Sequence, residues 1–291
     1  MLLFKKIDPL LNYLTALRAQ HRAIGFIPTM GALHEGHLKL IRQAASDCDF
    51  TLCSIFVNPT QFNDTKDLEK YPRTPAKDIQ MLASVGTDIL FMPGVNEVYP
   101  TNLSESTNFN FGSLDKVMEG AFRPGHFAGV AQVIKRFLDI IQPDRIFMGQ
   151  KDYQQVLVVK ALLRQLHAPV QLVMCPTVRE ADGLALSSRN VRLQPEDRKK
   201  APVIYQTLEK AKILLKNGHA PSDIQQWAVQ TLHEAGLRAE YFQIADSETL
   251  QALTRLSDAN KVVICTAVWA GDVRLIDNLV LDENEPDTPV E

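Results

Sequence analysis

Short apolar runs and helical patterns alternate along the first part of the chain. AIGFIP (23–28) leads into a glycine-bearing turn and an amphipathic segment from Gly36 to about Cys48, and TLCSIFV (51–57) follows. The series continues with a helical stretch from Pro75 to Val85, DILFMP (88–93), the helix-period segment GHFAGVAQVIKRFLDII (125–141), RIFMG (145–149), DYQQVLVVKALLRQL (152–166) and VQLVMCP (170–176). Unbroken apolar runs separated by helices are the pattern of parallel strands covered on both faces. The first 177 residues are therefore expected to form an α/β domain, a Rossmann-like, doubly wound parallel sheet.

After Pro176 the rhythm changes. Two long helical patterns, Pro195–Asn217 and Pro221–Ala235, precede strand-like YFQIA (241–245), KVVICTAVW (261–269) and VRLIDNLVL (273–281). A second, smaller α+β domain is expected over 178–282, acting as a lid, with an acidic tail at 283–291.

Composition narrows the class. A hydrophobic share of 45% and a charged share of 22% suit a water-soluble globular chain, and no window approaches the ~20 apolar residues of a membrane span. The N-terminus breaks its apolar runs with Lys5, Lys6, Asp8 and Arg18, so no signal-peptide core is expected there. A net charge of −3 gives no field suited to a nucleic-acid backbone. Cys48, Cys53, Cys175 and Cys265 form neither a CxxC pair nor a zinc spacing, so reduced thiols and a cytoplasmic location are expected.

Ligands of parallel sheets sit beyond the carboxyl ends of the strands, which directs attention to the turns there. The first, PTMGALHEGH, places His34 and His37 three apart at the start of a helix, where exposed amides and two imidazoles can donate to phosphoryl oxygens. The bland alternatives are a plain capping turn and a zinc site using His34, His37 and Glu35, for which no convincing third and fourth ligand lies nearby in sequence. The second, FVNPTQF, presents Asn58 and Gln61, neutral amides suited to a hydroxy acid whose carboxylate must stay nucleophilic; an Asx-Pro turn is the alternative. In MGQKDYQQ, Lys151 is a candidate phosphate ligand, and Asp152 is expected foremost to cap the helix that follows. TVREADGLALSSRN supplies Ser187, Ser188 and Arg189, either a polyphosphate clamp or a polar linker. RPGHFAGV holds Arg123 and His126, lining the pocket or capping a helix, and Tyr71 and Arg73 lie in a polar stretch that is either a lid or a surface loop.

Taken in order, PTMGALHEGH, FVNPTQF, YPRTP, RPGHFAGV, GQKDYQQ and PTVREADGLALSSRN resemble the signature segments of the pantothenate synthetase family, an HxGH-bearing group of nucleotidyltransferases. The resemblance implies that His34, His37, Lys151, Ser187, Ser188 and Arg189 contact ATP phosphates, with Gly149 and Asp152 near the ribose. It further implies backbone contact from Met30 and Val178 to the nucleotide, pantoate held by Gln61 and Gln155, and a two-domain homodimer. One departure is Gln150, where GEKD is the commoner family form. The implied partners are ATP, pantoate and β-alanine, joined through a pantoyl-adenylate, with Mg2+ arriving on the triphosphate and no dedicated metal site. Two rivals stand beside it: another HxGH nucleotidyltransferase acting on a phosphate acceptor, and a non-catalytic nucleotide sensor.

Overall fold

The computed structural model describes residues 1–100 and 109–281, so the expected acidic tail lies outside the described residues. The chain runs β1 (Leu2–Phe4), α1 (Ile7–Arg18), β2 (Ile24–Thr29), α2 (Glu35–Asp47), β3 (Phe50–Ile55), α3 (Thr65–Lys70), α4 (Pro75–Ser84), β4 (Ile89–Phe91) and α5 (Val95–Val98). It continues through α6 (Glu119–Phe122), α7 (His126–Ile141), β5 (Arg145–Gly149), α8 (Tyr153–Gln165), β6 (Gln171–Cys175), α9 (Pro195–Lys200), α10 (Val203–Lys216), α11 (Pro221–Glu234), β7 (Arg238–Asp246), β8 (Val262–Ala270) and β9 (Val273–Leu281). No helix among the described residues is long and apolar enough to cross a membrane.

Strands β1 to β6 form one parallel sheet in the order β1-β4-β3-β2-β5-β6. Alternate side chains point to opposite faces of a strand, and here both faces are covered. Phe26, Leu52, Ile89, Phe91 and Ile146 join α1, α7 and α8 in one core, where Phe137 meets Phe26, Phe56 and Phe91 edge-on. Their neighbours Ile27, Cys53, Leu90 and Phe147 join α2 and α4 in another. Burial of each such side chain contributes about 1.5–3 kcal/mol. This is the doubly wound α/β arrangement that the apolar runs predict. From β2 the chain proceeds outward through β3 and β4, then returns to place β5 on the other side of β2, so the topological switch point lies between β2 and β5.

The structure adds helices α1, α3, α5 and α6, which the sequence pattern does not announce, and differs from it in two further places. Strand β1 is not announced by it: three residues at a sheet edge, Leu2 and Leu3 exposed, are too short to show a period, yet they pair with Ile89–Phe91. The helical pattern expected over Pro195–Asn217 is broken after α9 because Pro202 offers no amide to the preceding turn, and α10 starts afresh after it.

The chain divides into two compact units. The first comprises Met1–Asp115, Glu119–Val178 and Leu186–Ser188; the second takes Lys116–Met118, Arg179–Ala185 and the chain from Arg189 on. The second has its own antiparallel sheet, β7-β8-β9, and its own core of α10 and α11 residues such as Leu208, Leu215, Ile224 and Leu232 with Ile264, Val268 and Leu275. Arg179 is fixed within it by a bidentate pair with Asp277 at 2.6 and 3.0 Å and by the face of Tyr205, 3.8 Å away. All four cysteines are free, Cys53, Cys175 and Cys265 buried and Cys48 half-buried.

Candidate active site

The turn after β2 begins with two left-handed residues, Gly31 at φ +80° and Ala32 at φ +49°. His34 then returns to extended backbone as the N-cap of α2. The cap is reciprocal: Gly36 N–H donates to His34 Nδ1 at 3.2 Å, and His34 N–H donates to His37 Nδ1 at 3.3 Å. Gly36 is required here, since a Cβ would stand 2.9 Å from the His34 ring. The two rings lie 4.1 Å apart, centre to centre.

This geometry fixes the protons. Each Nδ1 accepts a backbone hydrogen, so each neutral ring carries its proton on Nε2. Both rings are neutral near pH 7: burial and then the nearby Lys151 ammonium push His34 down to about 4, and burial, His34 and Lys151 hold His37 well below its ordinary range. The pair therefore offers two uncharged N–H donors.

Lys151 stands on the other side of the switch point, in the tight turn Gln150–Asp152 after β5 and Gly149. Its Nζ is 3.7 Å from Asp152 Oδ1. The expectation that Asp152 caps α8 is corrected: it occupies the N-cap position, but its side chain makes no capping hydrogen bond. The backbone there, φ −94° and ψ 53°, leaves the extended geometry from which a carboxylate reaches back to the helix amides. Gln155, on the first turn of α8, is half-buried and its amide makes no hydrogen bond among the described residues.

The FVNPTQF loop is built into α7. Asn58 is buried and its amide fully engaged: Nδ2 donates to Gly129 O at 3.1 Å and Gln61 Oε1 at 3.3 Å, while Oδ1 accepts from the hydroxyls of Tyr99 at 3.0 Å and Thr60 at 3.1 Å. Gln61 is buried with Nε2 against Met30 Sδ. Its backbone carbonyl accepts from His126 Nδ1 at 2.8 Å, which leaves His126 Nε2 to accept from Arg123 at 3.2 Å. Burial and the Arg123 charge push His126 down to about 4. Arg123 also lies 3.6 Å from the buried carboxylate of Glu119. His126 starts α7 without capping it through its side chain.

Ser188 meets the Tyr71 hydroxyl at 3.3 Å, and Leu186 N–H donates to Val178 O at 2.9 Å. Beside Val178, Thr177 Oγ1 is buried without a partner among the described residues. Tyr71 is buried against Phe62, and Arg73 donates to the carbonyls of Leu68 and Tyr71 at the end of α3. Arg189 belongs to the second unit. His34, His37 and Lys151 are thus brought together, and Asn58, Gln61 and Met30 form a second group.

Three contributors escaped the sequence reading. Asp78 is buried, with Ala32, Leu33 and Thr74 donating to its carboxylate. Tyr99 holds Asn58, and Gly129 lets α7 approach the loop, since a Cβ there would stand 2.3 Å from Thr60 O. Only Gly129, a glycine inside a strong helical pattern, carried a local signal.

Paired imidazole donors in an HxGH turn at the switch point of a parallel sheet, with a lysine across from them, define an α/β protein of the nucleotide-handling class. The chain belongs to the pantoate-beta-alanine ligase family, whose model matches residues 2–280. It is 45% identical over 284 residues to the pantothenate synthetase of Porphyromonas gingivalis, covering 97% of this chain and 100% of that one. The crystal structure of pantothenate synthetase from Thermus thermophilus superposes with a TM-score of 0.89 at 41% identity, over 96% of this chain and 99% of that one. That of pantoate-beta-alanine ligase from Francisella tularensis, complexed with beta-gamma ATP and beta-alanine, gives 0.82 at 35% identity over 96% and 97%.

Proposed function

We propose that the protein forms pantothenate from pantoate and β-alanine with ATP as the activating substrate. The observation that carries this reading is the pair of uncharged Nε2–H donors at the start of α2, with Lys151 close enough to depress both rings. In the first step the pantoate carboxylate attacks the α-phosphorus of MgATP, forming the acyl–phosphate bond as pyrophosphate leaves. In the second the β-alanine amine attacks the acyl carbon, the amide forms, AMP leaves and the amine loses a proton.

His34 and His37 donate to phosphoryl oxygens on which charge shifts during displacement, and Lys151 offsets the repulsion between carboxylate and polyphosphate. Gly149, Asp152 and the backbone of Met30 and Val178 are assigned to the nucleoside side, and the unpartnered Thr177 hydroxyl favours a ligand at that point. Ser187, Ser188 and Arg189 are assigned to the polyphosphate by resemblance. Gln61 and Gln155 hold pantoate, and the free amide of Gln155 favours this. Asn58 has its amide engaged by protein, so we give it the part of holding Gln61 in place. Among the described residues no three His, Cys, Asp or Glu side chains converge on a point where a metal could sit, and Mg2+ enters as part of the nucleotide substrate. We also propose a homodimer acting in the cytoplasm, the first part checked by light scattering.

The test is pantoate-dependent exchange of labelled pyrophosphate into ATP without β-alanine, followed by addition of β-alanine. Exchange and then pantothenate with AMP is expected. Exchange without amide formation would move the acceptor to another class, and neither product from folded protein would overturn the assignment.

A further inference from the structure

Met30, Gly31, Ile55, Thr74 and Asp78 line a cavity of about 330 Å3 beside the turn that presents His34. In that turn Gly31 and Ala32 are both left-handed. A left-handed residue other than glycine costs about 1–2 kcal/mol and persists only where its surroundings over-determine it. Asp78, 45 residues along the chain from Leu33, supplies that determination. Its carboxylate, on the first turn of α4, accepts from the Ala32 amide at 3.0 Å through Oδ2 and from the Leu33 amide at 2.8 Å through Oδ1. The Thr74 hydroxyl adds a third bond at 3.1 Å. Two successive amides on the two oxygens of one carboxylate fix both the position and the tilt of the turn. The fit leaves no room for a side chain at 31, where a Cβ would be 3.1 Å from Asp78 Oδ2 and 3.0 Å from Ile55 Cγ2.

We infer that Asp78 is a positioning residue for adenylate formation: it holds the Met30–Leu33 turn in the left-handed course that aims the Nε2–H donors of His34 and His37. The inference rests on the proposed activity only in what those donors meet. The carboxylate itself is committed to the turn and is assigned no contact with substrate.

Asp78→Asn replaces one acceptor oxygen by an amide that faces a backbone N–H, so one of the two clamping bonds is lost. Thr74→Val removes the hydroxyl and leaves both amide bonds. Three readouts separate positioning from mere stability: the rate of pantoate-dependent pyrophosphate exchange, the KM for pantoate, and the 15N resonances of the two imidazoles in the free protein. Folded Asp78→Asn is expected to lose on the order of 10²-fold in exchange rate, the scale of a ~1 Å misplacement, with KM for pantoate within a few-fold. Its imidazole signals should move from the Nε2–H tautomer toward a mixture, and Thr74→Val should stay within a few-fold of wild type in every readout. Folded Asp78→Asn with wild-type exchange and unshifted imidazoles would overturn the inference. Should that variant not fold, Ala32→Gly in the same background relieves the left-handed strain. The double variant is expected to fold and remain slow, and a wild-type rate from it would equally overturn the inference. Wild-type protein without exchange would sink the activity, while the imidazole resonances would still decide the clamp.

Discussion

At the scale of single residues, His34 does two separable things: Nδ1 caps α2 and Nε2–H is left to donate. Asparagine reproduces the cap acceptor without the distal donor. His34→Asn should therefore keep wild-type thermal stability and lose about 10²-fold in pyrophosphate exchange, whereas His34→Ala should lose the rate and about 1 kcal/mol of stability as well. Exchange kinetics paired with thermal unfolding distinguish them. His126 makes a prediction about acid. Its folded pKa, about 4, lies below the ordinary 6.5, so between those values the native state binds fewer protons than the unfolded chain. The stability this contributes is fully present above pH 6.5 and is lost as pH falls toward 4, with a slope of up to ~1.4 kcal/mol per unit. Urea titrations at about pH 7 and about pH 5 should show that loss, and His126→Asn, which retains a donor to Gln61 O without titrating in this range, should flatten it. The HxGH spacing made the histidines legible in sequence. Their neutrality was not, because it depends on burial and on a lysine that enters from another strand.

At the scale of elements, Gly129 decides how α7 and the 58–61 loop meet. Alanine favours a helix interior by about 0.5–1 kcal/mol over glycine, but here its Cβ would stand 2.3 Å from the Thr60 carbonyl, which is backbone and not free to yield. The clash wins. Gly129→Ala should be destabilising by at least ~1–3 kcal/mol in urea unfolding and should raise the KM for pantoate, because Asn58 and Gln61 move with the loop. Unchanged stability and KM would contradict this packing. The strands from β2 to β6 and the helices α2, α4, α7 and α8 were legible because each carries an apolar period of its own. Strand β1 was not, being three residues whose pairing is set by β4, and neither was the break at Pro202, hidden inside a continuous helical period. Asp152 shows the same limit in reverse: a good capping residue in the right place, which the local backbone turns toward Lys151.

At the scale of the whole molecule, the cores of the two units are each legible as composition and period, but the path of the chain between them is not. Arg179–Ala185 belongs with the second unit although it directly follows residues of the first, and Leu186–Ser188 belongs with the first again. Arg179 of that arm pairs with Asp277, whose side chain is only 4% exposed, and no local pattern signals a partner 98 positions away. Arg179→Met should strand that carboxylate and destabilise the second unit by about 3–5 kcal/mol, read as a fall in its denaturation midpoint, while Arg179→Lys should recover only part of the loss. The same pairing has a meaning in time as well as space. At ribosomal speeds of about 5–20 residues per second, the 98 positions between Arg179 and Asp277 take about 5–20 s to synthesise. For that interval Arg179 lacks the carboxylate of Asp277, and their bidentate pair forms only once β9 has been made.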